Sequence, residues 1–231
     1  MRRAEAREII KSLVGSSVER LVAELIQCRR CPRLVEYRES VPPLPRFKGQ
    51  IYWRRPVPPW GDPQARIMVV GLAPAAHGGN RTGRMFTGDS SAQFLFKALH
   101  AVGLSNNPYS ISRDDGTKVR CVYITSAVKC APPKNKPTAE EVDNCSYWLK
   151  AELEIVKPRA VVALGRIAWE AVFKAMDVRA PEFAHGAFVD VGPMRVFASY
   201  HPSPRNTNTG RLDLQSLIEV FEAAKAYAGC G

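Results

Sequence analysis

Four short apolar runs, at residues 67–70, 119–127, 160–164 and 196–199, are each bounded by turn residues or by helical periodicity. Segments this short and continuously apolar, alternating with helices, read as central strands of a parallel sheet buried on both faces. Ser90 and Gln93 are spaced as a capping box ahead of Phe94, Leu95, Ala98, Leu99 and Val102, and Thr138 and Glu141 ahead of Val142, Cys145, Leu149 and Leu153. Another helix covers about 167–176, and the last carries Leu214, Leu217, Ile218, Phe221 and Ala224. The expected fold is α/β, a three-layer α/β/α sandwich on a central, mainly parallel, four-stranded sheet. With 45% of 231 residues hydrophobic, the chain can bury a sizeable core, and one domain over 1–231 is expected.

Upstream, Val18, Leu21, Val22, Leu25 and Ile26 predict a short amphipathic helix, with Ser16 and Glu19 as its capping box, that leads into Cys28. Residues 32–63 are rich in proline and arginine and carry Tyr37, Phe47, Tyr52, Trp53 and Trp60. That composition excludes regular ladders and predicts an ordered, packed loop belonging to the domain. No stretch approaches the roughly 18 apolar residues of a membrane span, and Met1-Arg2-Arg3 leads into Ala4-Glu5-Ala6-Arg7-Glu8, which is not a signal-peptide core. A cytoplasmic protein with no membrane partner is expected. Its formal charge of +11 favours a polyanionic partner over a neutral small molecule.

In that setting six cysteines read as ligands or core residues rather than as a disulfide framework, intracellular proteins of hyperthermophiles being the exception. Cys28-x2-Cys31 joins Cys130, just past a strand, and Cys145, on the apolar face of a helix. Four such thiolates satisfy either a tetrahedral zinc or a cubane iron–sulfur cluster, and Cys130 and Cys145 also suit ordinary burial. Cys121 lies in a strand and Cys230 at the tail, neither with a ligand-like neighbour.

Two glycine- and proline-rich loops follow apolar runs: Gly71-Leu72-Ala73-Pro74-Ala75-Ala76-His77-Gly78-Gly79-Asn80 and His201-Pro202-Ser203-Pro204-Arg205-Asn206. Both leave the carboxyl ends of their strands, where open parallel sheets gather ligands. Glycines let backbone N–H groups approach an anion or carbonyl, and Phe86 can cover the face of an extruded pyrimidine. One further pattern, Gln215-x-x-Ile218-x-x-Phe221, nearly spells a sliding-clamp binding box. Its apolar residues also form one helical face and Glu222 replaces the second aromatic, so a core helix is the favoured reading.

The run from Gly71 to Asp89, including Asn80-Arg81-Thr82-Gly83-Arg84 and Phe86-Thr87-Gly88-Asp89, resembles the family 5 uracil-DNA glycosylases. The segment from Tyr123 to Pro133 followed by Cys145 resembles that of the iron–sulfur-containing members. The likeness implies a structural [4Fe–4S] cluster on Cys28, Cys31, Cys130 and Cys145, preferred over zinc, which ties the N-terminal helix and Pro-rich loop to the sheet. Arg29, Arg30, Arg33 and Lys129 nearby would then face phosphate. It also implies a monofunctional enzyme acting on deaminated bases in DNA.

On the resemblance, Gly71, Leu72, Ala73, Pro74, Ala75, His77, Phe86 and Ser126 surround the base, and Arg84, Ser203 and Arg205 meet the DNA. Ala73 stands where several relatives have Asp or Asn and Leu72 where another branch has Glu, so the usual water-activating carboxylate is missing. A dissociative reaction survives that loss: His201 hydrogen-bonds the base oxygen as charge grows on it, and Asn80, ahead of His77 and Asp89, places the water. Ser126 replaces an asparagine that reads uracil, which predicts a wider range including hypoxanthine and xanthine. Arg205 is the candidate wedge. Neither loop contains lysine, so no Schiff base or strand cleavage is expected. The rival reading is a non-catalytic Fe–S or zinc nucleic-acid-binding protein of the same fold. A two-metal nuclease is disfavoured because Asp89, Asp114 and Asp115 form no obvious site.

Overall fold

The computed structural model describes residues 17–231. The elements are α1 (Val18–Leu25), α2 (Pro32–Ser40), β1 (Trp60–Gly61), β2 (Ile67–Gly71), α3 (Gly79–Thr82), α4 (Ser90–Ala101), β3 (Val122–Ser126), α5 (Ala139–Val156), β4 (Ala160–Leu164), α6 (Arg166–Ala175), β5 (Phe188–Val191), β6 (Met194–Ser199), α7 (Pro204–Asn208) and α8 (Leu214–Ala228).

The sheet has six strands in the order β1-β3-β2-β4-β6-β5. Its four central strands, β3, β2, β4 and β6, are parallel and are the four apolar runs of the sequence. The expectation of four strands needs correction at the edges: β1 pairs antiparallel with β3, and β5 antiparallel with β6. Neither edge strand has an apolar run. β1 is two residues among prolines, and β5 alternates exposed and half-buried positions.

Side chains alternate across the sheet. Ile67 and Val69 of β2 join a core with Leu95, Leu99, Leu217 and Phe221 of α4 and α8, while Met68 and Val70 face Leu149, Trp169 and Phe173 of α5 and α6. These are the outer layers of an α/β/α sandwich. A third apolar cluster joins Leu21 and Leu25 of α1 and Leu34 of α2 to Cys130, Cys145 and Trp148, and so attaches the N-terminal segment to α5.

The capping box at Thr138 and Glu141 forms in both directions. At α4 the cap is Asp89, whose carboxylate accepts from the Ala92 N–H, rather than Ser90. At α1 the cap is Ser17 rather than Ser16, which lies outside the described residues. The stretch read as a loop contains α2: Pro32 occupies its first turn, where no N–H is needed, and Leu34, Val35 and Arg38 are buried.

One sequence reading changes with the fold and another keeps its favoured form. Cys121 and Cys230 form a disulfide, joining residues 109 apart. The αL turn at Gly229 ends α8 and turns the tail toward the start of β3, a juxtaposition that no local spacing announces. Leu217 and Phe221 are fully buried against the sheet and Ile218 packs on the same core, so the apolar residues of the clamp-like pattern form the core face of α8. Among the described residues no helix is long and apolar enough to cross a membrane.

Candidate active site

In the sheet register Gly71 lies beside Ser126, and Leu164 beside Ser199, so the four parallel strands end together. The loops that follow β2 and β6 leave this edge. A Cβ on Gly71 would come within 2.6 Å of the Phe86 ring, so glycine is what lets that ring lie against the end of β2. Phe86 has φ of +47°, a left-handed backbone unusual for a bulky residue. Its ring faces His201 with centroids 6.1 Å apart and planes tilted by 30°. Gly165, at φ +97°, closes the end of β4 beneath His201, where a Cβ would lie 3.3 Å from the histidine Cβ.

His201 is fixed through its backbone: its carbonyl accepts from the Ser203 N–H and from Asn206 Nδ2, both at 2.8 Å. Its imidazole has no hydrogen-bond partner among the described residues and lines an open cleft of about 430 Å³ with Leu72, Arg166, Ile167, Tyr200 and Arg211. Burial pushes its pKa down to about 4, so the ring is neutral at pH 7 and offers one N–H and one lone pair. Ser203 and Arg205 line the same cleft; Arg205 is exposed, and neither side chain makes a hydrogen bond within the described residues.

Around β2 most polar side chains are engaged. Arg84 was expected at DNA, but it is buried. Its guanidinium meets both Asp115 oxygens at 2.8 Å, Thr87 Oγ1 at 2.9 Å, Ser110 Oγ at 2.8 Å and the Arg113 carbonyl at 3.0 Å, and it lies 4.5 Å over the Trp60 ring. Burial alone would raise the Asp115 pKa, but Arg84 and the N–H groups of Ile111, Thr117 and Ser112 hold it well below the carboxylate range. The Ser126 hydroxyl is buried and donates to the Val128 carbonyl at 2.8 Å, with Met85 Sδ at 3.5 Å. It therefore does not offer its proton to a base.

Asn80 is fully buried, with Nδ2 donating to the Arg38 carbonyl at 3.1 Å and Oδ1 without a partner. His77 Nδ1 and the Tyr52 hydroxyl are 3.0 Å apart, and burial, aided by Arg46 and Arg81, lowers the His77 pKa. Asp89 caps α4, and burial raises its pKa. Ala75 accepts from the Gly78 and Asn80 N–H groups, and Pro74 packs close to Gly79. Ala73 packs on the cysteine-containing apolar cluster.

Cys28, Cys31, Cys130 and Cys145 line one cavity together with Arg38 and Trp148. Among the described residues no group of three or more His, Cys, Asp or Glu converges on a point where one metal ion would sit. Arg38 Nη1 reaches Cys130 Sγ at 2.9 Å and the Lys129 N–H reaches Cys145 Sγ at 3.3 Å. Burial pushes the Cys130 thiol up to about 11 against the pull of Arg38, and raises Cys31 as well. A donor set of four sulfurs on one cavity, two of them facing N–H groups, fits an anionic thiolate-bound cluster.

The basic residues beside it do not all face outward. Lys129 is buried, with Nζ on Glu152 at 2.8 Å, on the Ser126 carbonyl at 2.8 Å and on Thr125 Oγ1, so it cannot meet phosphate. Arg33 chelates Glu141, Arg29 pairs with Glu39, and Arg30 lies 4.0 Å over Tyr147.

The sequence model of the uracil DNA glycosylase superfamily matches residues 58–225. The chain belongs to that superfamily. A type-5 uracil-DNA glycosylase of Pyrobaculum aerophilum is 68% identical over 90% of this chain and 92% of its own length. A type-5 relative from Thermus thermophilus is 51% identical over 91% of this chain and 98% of its own length. A type-4 uracil-DNA glycosylase of Archaeoglobus fulgidus is 30% identical over 81% and 82%. Within this superfamily member, Arg166, Arg211, Tyr200 and Phe183 also line the His201 cleft and escaped the sequence reading. Tyr200 adjoins His201, and Arg166 follows the glycine that ends β4, so chain position held a signal for those two; Phe183 sits in a stretch with no periodicity. Arg38, the buried partner of Cys130, was hidden because a single arginine in a polar segment carries no mark of burial.

Proposed function

We propose that this chain is a monofunctional DNA glycosylase that hydrolyses the N-glycosidic bond of uracil, and of hypoxanthine and xanthine, to leave an abasic site. The observation that carries this reading is the neutral, unpartnered imidazole of His201 opposite the ring of Phe86. A base turned out of the duplex stacks on Phe86 while His201 donates an N–H to its carbonyl oxygen. As the C1′–N bond lengthens, charge grows on that oxygen and the hydrogen bond strengthens, which lowers the barrier rather than the ground state.

The sugar becomes oxocarbenium-like and accepts water without a strong base. Within the β2 loop, Nδ2 of Asn80 is held by Arg38 and Oδ1 is an unengaged acceptor, so we assign to Asn80 the orientation of that water. The engaged hydroxyl of Ser126 leaves no side-chain donor for a base carbonyl at that position, which supports the wider base range. Arg205, exposed on the cleft, fills the space of the extruded nucleotide. A [4Fe–4S] cluster on Cys28, Cys31, Cys130 and Cys145 serves as a cross-link between α1, α2 and α5; an absorbance band near about 400 nm with matching iron content tests it.

The deciding experiment is excision from an end-labelled duplex with one U·G pair, in EDTA, with and without alkali, beside His201→Ala. Alkali-dependent breaks at uracil that fall in the variant are expected. Absence of breaks at uracil, hypoxanthine and xanthine would instead favour a non-catalytic nucleic-acid-binding protein.

A further inference from the structure

Residues 40–61 contain Arg46, Lys48, Arg54 and Arg55 and no acidic residue. Arg46, Lys48 and Arg55 are exposed or half-buried, and among the described residues none of the four cations enters an ion pair. At the tip stands Ile51, 96% exposed, far beyond any other large apolar side chain described. Its neighbours are firmly held. Tyr52 is buried with its hydroxyl 3.0 Å from His77 Nδ1, Gln50 Oε1 accepts from Arg81 Nη1 at 3.0 Å, and the N–H groups of Trp53 and Arg54 donate to the carbonyls of Arg81 and Asn80. Phe47 lies 4.0 Å under the Arg81 guanidinium.

The loop is thus bonded to the motif that follows β2, on the sheet edge that carries His201. β4 alone separates β2 from β6, so the two loops leave the edge roughly 10 Å apart at ordinary strand spacing. An exposed apolar side chain, held by anchored neighbours and flanked in sequence by unpaired cations, matches the chemistry of a wedge entering a base step between two rows of phosphates.

We propose that Ile51 is a second insertion point into duplex DNA, on a loop other than that of Arg205, with Arg46, Lys48 and Arg55 holding the flanking phosphates. Resting on the glycosylase reading, this assigns the unstacking of the duplex to two side chains from two loops. Single strands need no unstacking, so Ile51 acts on duplex alone.

The test uses the full-length protein with Ile51→Ser, Ile51→Leu and the triple variant Arg46→Gln/Lys48→Gln/Arg55→Gln. Binding is measured on a duplex with a tetrahydrofuran abasic analogue and 2-aminopurine beside it, and on the matching single strand. Ile51→Ser should weaken duplex binding roughly tenfold, as loss of one buried aliphatic side chain does, and abolish most of the 2-aminopurine brightening. Single-strand affinity and Tm should be unchanged, and Ile51→Leu should restore both duplex signals. The triple variant should lower the salt slope by about 0.9 for each phosphate that is no longer neutralised. Equal losses on both substrates, or no loss on duplex, would overturn the wedge. These binding readouts need no catalysis, so a protein that excises nothing would refute the glycosylase reading while leaving the wedge to be judged by its own signals.

Discussion

In the loop after β2, the Arg84 guanidinium meets Asp115, Ser110, Thr87 and a carbonyl, the Ser126 hydroxyl beside that loop donates to Val128, and Asp89 caps a helix. In the loop after β6, His201, Ser203 and Arg205 have side chains with no hydrogen-bond partner among the described residues. Both loops border one cleft, yet in the first the polar side chains, Asn80 Oδ1 apart, hold the loop's own shape, while in the second His201, Ser203 and Arg205 keep theirs for a ligand. A free donor is useful only where a rigid wall sets the base against it, and the bonded loop is what holds the Phe86 ring at His201.

The contrast is tested most strongly at Arg84 and His201. Arg84→Met leaves Asp115 buried without its partner and should cost about 3–5 kcal/mol, a fall in Tm of roughly 6–20 °C, with little change in the salt dependence of DNA binding. His201→Ala should lower kcat/KM by about 10²–10³ while leaving Tm nearly unchanged at neutral pH. Calorimetry and single-turnover excision on the same two proteins decide it: a stable Arg84→Met with weakened DNA binding would erase the distinction.

His201 adds a pH signature. Its folded pKa, about 4, lies below the ordinary 6.5, so between those values the unfolded chain binds a proton that the folded one does not. Its share of stability is complete above pH 6.5 and is lost as pH falls toward 4. The Tm difference between wild type and His201→Gln should therefore change between pH 7.5 and pH 5, with the wild type losing more. A constant difference would place the imidazole in a wetter setting.

The next effect falls outside both loops. Cys121→Ser opens a cross-link between residues 109 apart and should cost about 2–5 kcal/mol, with excision at 25 °C unaltered. The Tm of wild type with and without reductant gives the same comparison without mutation. Asn80→Ala should lower kcat about tenfold or more with little change in KM, since it is assigned to water rather than to the base; a rise in KM alone would show that it only braces α2.

How much of this was legible follows from what each feature depends on. The four central strands were readable because burial on both faces leaves a continuous apolar run, and the two edge strands were not because β1 and β5 carry none. The cysteine set was readable through motif and order, whereas the Cys121 and Cys230 pairing depends on where the tail of α8 lands. Arg84 and Arg205 are the same residue type in equally suggestive motifs. Only the fold reveals that Asp115, 31 positions away, already holds the first.

Ser126 provides the smallest and most discriminating test. Its hydroxyl donates at 2.8 Å to Val128 and is covered by Met85, so Ser126→Ala removes one neutral hydrogen bond, about 1 kcal/mol and roughly 2–4 °C in Tm. The hydroxyl proton is committed to Val128, so the ratio of kcat/KM for uracil over hypoxanthine should remain within about twofold, because no donor to the base is lost. A large shift in that ratio would mean that the hydroxyl turns away from Val128 to read the base. A polar group beside the β2 loop would then read the base directly, and the division between a bonded wall and a free donor would fail at the end of β3, where Ser126 lies beside Gly71.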